Sequence, residues 1–361
     1  MNVAIIDADL IGKRKHRFPN LACMKISGYQ KEQGNSVTLK LDYDNLEEYD
    51  RVYISKVFTD TPISSRILQL DNVIYGGTGF FYDQAKPLPF EIEHHMPDYH
   101  LYDDWVNEQL ANGGKRLDYK YYLDYSIGYS TRGCFRHCEF CVNKNYTKVE
   151  LHSSLNEFLD PTRKKICLLD DNVFGYSKWK DIFSDLHLTG KPFQYKQGLD
   201  ERLLTNEKCK VLFSSKYDGD YIFAFDNIAD YELIERKLKL IREYTDVIPK
   251  FYVFCGFDRN DKWDYEFWVQ DIFDLMKRIQ LLQHYRCIPY IMRFSRYIES
   301  PYQGVYKVVA AWCNQPSFFK KKSLLEFASS GKAESVSRLR HIDKFLKDWP
   351  AFEEYINMKW K

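Results

Sequence analysis

The sequence has 361 residues, 45% hydrophobic and 29% charged, and its basic and acidic residues balance to a net charge of +1. That composition excludes a disordered chain, and the small net charge provides no whole-protein field for a polyanionic partner. No stretch nears the roughly 20 apolar residues of a membrane span, and MNVAIIDADL lacks a secretory basic region. A cytoplasmic protein with no membrane partner is expected, in which the nine cysteines stay reduced.

Along the chain, NVAIIDA at 2–8 reads as a buried first strand. Leu21, Met24, Ile26 and Tyr29 recur at helical spacing and Gly34 supplies a stop. Residues 36–41 alternate as a strand, RVYISKVF at 51–58 is β-rich, and NVIYGGTGF at 72–80 is a strand running into a glycine turn. This order predicts a Rossmann-like doubly wound α/β domain over 1–85. Residues 86–124 hold Pro87, Pro89, Pro97, the His94-His95 pair and Gly113-Gly114, and read as a linker or wrap with one helix near 101–111. His94 and His95 read as a surface feature.

From 125 to 316 strands and helices alternate. The strands are SIGYSTR (126–132), KKICLLDD (164–171), PFQYKQGL (192–199), DYIFAFD (220–226), FYVFCGFD (251–258) and IPYIMRF (288–294), with helices notably at 229–244 and 265–283. Six such strands fit a partial (β/α)6 barrel of the TIM type. Residues 317–361 read as a helical C-terminal extension, whose Lys320-Lys321-Lys322 run reads as a solvated helix start.

The segment STRGCFRHCEFCVNKNY sets Cys134, Cys138 and Cys141 at intervals of four and three, just after a predicted strand. Thiolate is the soft ligand that iron–sulfur clusters and zinc require. Three thiolates are one short of a closed tetrahedral site, so a metal position stays open. Spacing alone leaves a zinc knuckle available, with His137 or His152 as a remote fourth ligand. Cys23, Cys167, Cys209, Cys255, Cys287 and Cys313 have no close pairing and read as buried small hydrophobes.

The pattern Cys-x-x-x-Cys-x-x-Cys, with Phe140 before the last cysteine, resembles the signature of the radical S-adenosylmethionine superfamily. LLDDN (168–172), QGLDERLL (197–204), FAFD (223–226) and VFCGFD (253–258) resemble later strand ends of the same barrel, so the similarity spans roughly 125–315. The N-terminal part is similar to the cobalamin-binding-like domain that precedes many such barrels. That family places a cobalamin-ligating His within Asp-x-His-x-x-Gly, and this chain has Asp7-Ala8-Asp9-Leu10-Ile11-Gly12. Asp9 at the His position speaks against His-ligated cobalamin and for a degenerate domain, while binding without a His ligand stays open.

The resemblance implies that Cys134, Cys138 and Cys141 hold a 4Fe–4S cluster, and that S-adenosylmethionine is split to a 5′-deoxyadenosyl radical that takes hydrogen from a small or macromolecular substrate. A reductant such as flavodoxin or ferredoxin would supply the electron. Phe140 would stack near adenine, Asp170, Asp171 and Asn172 would lie near the methionine end, and Gln197, Asp200 and Arg202 would contact ribose or carboxylate. Asp226, Arg293 and Cys255, each at a strand end, would face substrate. For Asp170 to Asn172 a turn or helix cap is the competing role, and for Glu201-Arg202 a surface ion pair. Two other functions stay open: a non-catalytic zinc or iron–sulfur module, nucleic-acid associated, and a cobalamin-dependent radical methyltransferase.

Overall fold

A computed structural model describes residues 1–13, 16–331 and 334–360. The chain forms two compact units, Met1–Lys196 and Gln197–Lys361. The division falls between the third and fourth of the six strands read as a barrel.

The first unit begins with β1 (Asn2–Asp7), α1 (Ala8–Gly12), α2 (Leu21–Glu32), β2 (Ser36–Leu39), β3 (Arg51–Ser55), β4 (Val73–Gly76) and α3 (Thr78–Phe81). The four strands form a parallel sheet in the order β2-β1-β3-β4. The order reverses between β1 and β3, which makes their carboxyl ends a topological switch point. The apolar run of β1 is continuous because both its faces are covered. Val3 and Ile5 pack with Cys23, Met24 and Ile26, while Ala4 and Ile6 pack with Val52 and Ile54. Asn20 starts α2 by accepting the Cys23 backbone N–H.

Next come α4 (Phe90–Glu93), α5 (Asp103–Ala111) and α6 (Lys120–Leu123). Ile92, Tyr99, Leu101, Tyr102, Val106, Tyr119 and Tyr122 join Val3 and Ile5 in one core. The stretch read as a linker or wrap thus packs into this core. Its aromatic and aliphatic side chains, set among prolines and acids, cover the face that α2 alone leaves open.

The unit continues through β5 (Tyr125–Gly128), β6 (Thr131–Arg132), β7 (Glu150–Leu151), β8 (Lys165–Leu168), α7 (Trp179–Leu188) and β9 (Phe193–Tyr195). A second parallel sheet runs β5-β8-β9, and β6 pairs antiparallel with β7. Trp179, Ile182, Phe183 and Leu186 form the buried stripe of α7. The strand read at 126–132 breaks after Gly128, and the one read at 164–171 ends at Leu168. In both places the side chains of Ser130, Thr131, Asp170 and Asp171 replace the ladder with bonds of their own.

The second unit holds α8 (Asn206–Ser214), β10 (Ile222–Ala224), α9 (Tyr231–Tyr244), β11 (Lys250–Cys255), α10 (Tyr265–His284) and β12 (Ile288–Arg293). Its sheet is parallel, in the order β10-β11-β12. Asp264 caps α10 by accepting the Phe267 N–H, and Trp268, Ile272, Leu275, Ile279 and Leu282 repeat at helical spacing on its buried face. The chain closes with α11 (Gln303–Cys313), α12 (Pro316–Phe319), α13 (Leu324–Ala328), α14 (Ser335–Asp348) and α15 (Glu353–Ile356). The lysine run lies between α12 and α13 rather than at a helix start. Lys320 sits over the Trp360 ring and Lys322 over that of Phe318. Among the described residues no helix is long and apolar enough to cross a membrane.

Candidate metal centre on the cysteine loop

The β6–β7 ribbon pairs Arg132 with Glu150 and Thr131 with Leu151, and so closes the base of a loop carrying all three clustered cysteines. Gly133 opens the loop at φ +96°, and a Cβ there would stand 2.3 Å from the Lys148 carbonyl on the returning limb. Only glycine lets the two limbs cross so closely in that conformation. Within the loop the Cys141 N–H donates to the Cys138 carbonyl at 2.9 Å.

The LLDDN segment after β8 builds this loop from beneath. Asp170 accepts the Ser130 N–H at 2.8 Å, the Thr131 N–H at 2.7 Å, and the hydroxyls of Ser130 and Thr131 at 2.5 and 2.6 Å. Burial pushes its carboxyl up to about 6, against the pull of those same hydrogen bonds. At 1% exposure it positions the entry to the loop rather than presenting itself to a ligand. Asp171 accepts the Gly133 N–H at 2.8 Å and the Asn143 side-chain amide at 2.6 Å, and pairs with Arg132 at 3.5 Å. It thereby ties the segment before the first cysteine to the segment after the last. Asn172 donates its side-chain amide to the Cys134 sulfur at 3.5 Å, and the Asn143 backbone N–H reaches the Cys141 sulfur at 3.4 Å.

Sequence spacing assigns none of these partners, because Asn143 and Asp171 are far apart in the chain. Phe140, expected near adenine, is half-buried, and its carbonyl accepts the Tyr82 hydroxyl at 2.8 Å. Lys144 pairs with Asp83 at 2.9 Å, which anchors the outer limb of the loop a second time.

Cys134, Cys138 and Cys141 are half-buried, while the other six cysteines are buried. Half-buried sulfurs that receive N–H bonds, on a loop braced at both ends, fit thiolate ligation of an iron–sulfur cluster. The two histidines considered as zinc ligands each have contacts of their own. His137 Nδ1 lies 2.7 Å from the Lys144 carbonyl. His152 stacks on His94 at 5.0 Å and lies 3.4 Å from Glu93, and burial pushes its imidazole down to about 4. His94, read as a surface feature, is half-buried and lies 2.7 Å from Glu157.

At the switch point of the first sheet, Asp9 is fully buried. It accepts the Val57 N–H at 2.6 Å and also binds the Thr61 hydroxyl. The carboxylate at the position of the family's His ligand is thus turned inward to hold the loop after β3.

In the second unit, Gln197 is exposed. Asp200 caps the following turn and accepts Arg202 Nε at 2.8 Å, and Arg202 also reaches Asp230 at 3.1 Å. Glu201, read as a surface partner of Arg202, is instead 1% exposed. It accepts the Ala224 N–H at 3.2 Å, and burial pushes its carboxyl up to about 8.

Asp226 accepts the Phe254 N–H at 3.0 Å and so couples the ends of β10 and β11, and burial raises its pKa. Cys255 is buried, its thiol donates to the Met292 carbonyl at 3.6 Å, and burial holds that thiol well above its ordinary pKa. A thiol in that state is a packing group, not a nucleophile. Arg293 is exposed and lies over the Tyr297 ring at 4.5 Å.

Parallel sheets alternating with helices define an α/β protein, with a three-cysteine loop braced after a sheet strand. No protein-family model matches the sequence, and no curated protein matches it. Solved structures match in fold. TsrM from Kitasatospora setae, a radical S-adenosylmethionine methyltransferase with cobalamin and a 4Fe–4S cluster bound, gives a TM-score of 0.51 at 12% identity, over 81% of this chain and 74% of that one. TsrM with tryptophan substrate and an S-adenosylmethionine analogue bound gives 0.50 at 12% identity, over 85% and 76%. The chain shares the fold of that enzyme.

Proposed function

We propose that this chain is a radical S-adenosylmethionine enzyme, with Cys134, Cys138 and Cys141 as ligands of a 4Fe–4S cluster. The observation that carries the proposal is the cysteine loop itself: three half-buried thiols on a segment whose two limbs Asp171 ties together. Once bound, such a cluster supplies the electron that splits S-adenosylmethionine into methionine and a 5′-deoxyadenosyl radical able to take hydrogen from substrate. The chain's own residues hold the cluster and shape the loop around it. Asp170 fixes the turn into the loop, Gly133 lets its limbs cross, and Asn172 and Asn143 place N–H groups on sulfur. The six parallel strands, in two triplets that alternate with helices, support the partial-barrel reading of 125–316. Flavodoxin or ferredoxin is the class of reductant this chemistry needs, and a cytoplasmic setting agrees with it.

The test is anaerobic reconstitution, with iron and sulfide analysis and EPR, followed by dithionite and S-adenosylmethionine. The proposal expects about four irons per chain and 5′-deoxyadenosine above the level of a triple Cys→Ala variant. No 5′-deoxyadenosine despite an intact cluster would defeat it, and zinc in place of iron would favour the non-catalytic module. A cobalamin-dependent methyltransferase is the second reading, favoured by the fold shared with cobalamin-bound TsrM. Against it stands the inward-facing Asp9, so any bound cobalamin would lack a ligand from that position.

A further inference from the structure

Asn172, placed by the resemblance near the methionine end of the cosubstrate, directs its amide at the sulfur of Cys134. Its side chain is buried and its Nδ2 lies 3.5 Å from the Cys134 sulfur. The placement is over-determined. Asp170 and Asp171, the two residues before it, are fixed by bonds to Ser130, Thr131, Gly133 and Asn143. Behind it, a Cβ at Gly175 would meet the Asn172 Cγ at 3.5 Å, Phe135 at 2.7 Å and Val149 at 2.8 Å. Glycine at 175 therefore leaves the room in which Phe135 and the Asn172 amide pack together beneath Cys134.

We infer that Asn172 sets the reduction potential of the cluster through an N–H···S bond to Cys134. This rests on the cluster assignment made above and extends it from the ligands to the group that tunes one of them. An N–H aimed at a cluster thiolate stabilises negative charge on sulfur. One-electron reduction adds negative charge to the cluster, so the bond favours the reduced form and raises the potential. Asn172 is in these terms a positioning and tuning residue, acting through Cys134. The Asn143 backbone N–H on Cys141 acts in the same direction and cannot be removed by changing a side chain.

The experiment is an EPR-monitored redox titration of reconstituted wild type, Asn172→Leu and Asn172→Asp. Leucine removes the donor at similar volume, and aspartate replaces it with negative charge. Asn172→Leu is expected to lower the ratio of reduced to oxidised cluster at fixed potential about tenfold, which for one electron is a fall of about 59 mV. Asn172→Asp should fall at least as far. An unchanged ratio in variants that hold a full cluster overturns the inference and leaves the cluster assignment standing. Wild type that takes up no iron and sulfide overturns both. Should neither variant retain a cluster, wild type labelled with ¹⁵N at the asparagine side-chain amide settles the matter. Pulsed EPR of its reduced cluster should show a weak ¹⁵N coupling, and its absence overturns the inference.

Discussion

Asp171 and Asn143 are joined at 2.6 Å, the aspartate accepting the side-chain amide of a residue 28 positions earlier in the chain. The other oxygen of Asp171 takes the Gly133 N–H at 2.8 Å, so a single carboxylate spans the cysteine loop from limb to limb. A metal site made from one loop needs this, because ligands on an unbraced segment lose conformational entropy when metal binds. Asp171→Ala is expected to cost about 2 kcal/mol, at the low end for two hydrogen bonds to a carboxylate because the loop is partly solvated. Iron retained per chain after desalting should fall with it, with Asp171→Asn intermediate. Wild-type iron retention in the alanine variant would show that the brace is dispensable.

The contrast between the loop cysteines and the other six can be read chemically. Cys23, Cys167, Cys209, Cys255, Cys287 and Cys313 are at most 1% exposed. Their alkylation requires local or global opening, so iodoacetamide should modify them roughly a hundredfold or more slowly than Cys134, Cys138 and Cys141 in cluster-free native protein. Peptide mass spectrometry over time measures the rates. Fast labelling of Cys255 would contradict its buried placement.

Glu201 gives the second unit a pH-dependent stability of definite sign. Its native carboxyl holds a proton up to about pH 8, while the unfolded chain releases it near the ordinary value of 4.5. Across that window the unfolded state binds fewer protons, so stability falls as pH rises, by at most about 1.4 kcal/mol per unit. Glu201→Gln should flatten the decline in Tm between pH 5 and 8 and be the more stable protein at pH 8. Asp7, which burial pushes up to about 7, contributes the same sign in the first unit, so part of the slope should remain. Parallel profiles for wild type and variant would place the acid elsewhere.

Asp9 offers a separate test at the switch point. Asp9→Ala leaves the Val57 N–H and the Thr61 hydroxyl without their acceptor, at a cost of about 2 kcal/mol and a fall in Tm of about 5 °C. Hydroxocobalamin mixed with wild type should show no absorption change that depends on residue 9. A spectral change in wild type that disappears in Asp9→Ala at a temperature where both are folded would return cobalamin ligation to that position.

Much of the architecture was legible because its signals are local. Hydrophobic runs and turn residues located the parallel strands of both units to within a few residues, though not β7, and the helices at 103–111, 231–244 and 265–284 match the stretches read as helical. Strand ends were less legible, since β8 stops at Leu168 only because the next residues bond to a different segment.

The sequence by itself determined the ligand chemistry, since three thiols within eight residues stay together however the rest folds. It also determined that Asp stands where a cobalamin-ligating His would. Tertiary structure decided the rest. It placed Asp171 between Gly133 and Asn143, aimed Asn172 at Cys134, and buried Glu201 against the Ala224 N–H. It also drew residues 92–122 into the core against β1. Neighbours along a chain can be read from spacing, whereas hydrogen-bond partners and burial depend on which distant segments folding brings together.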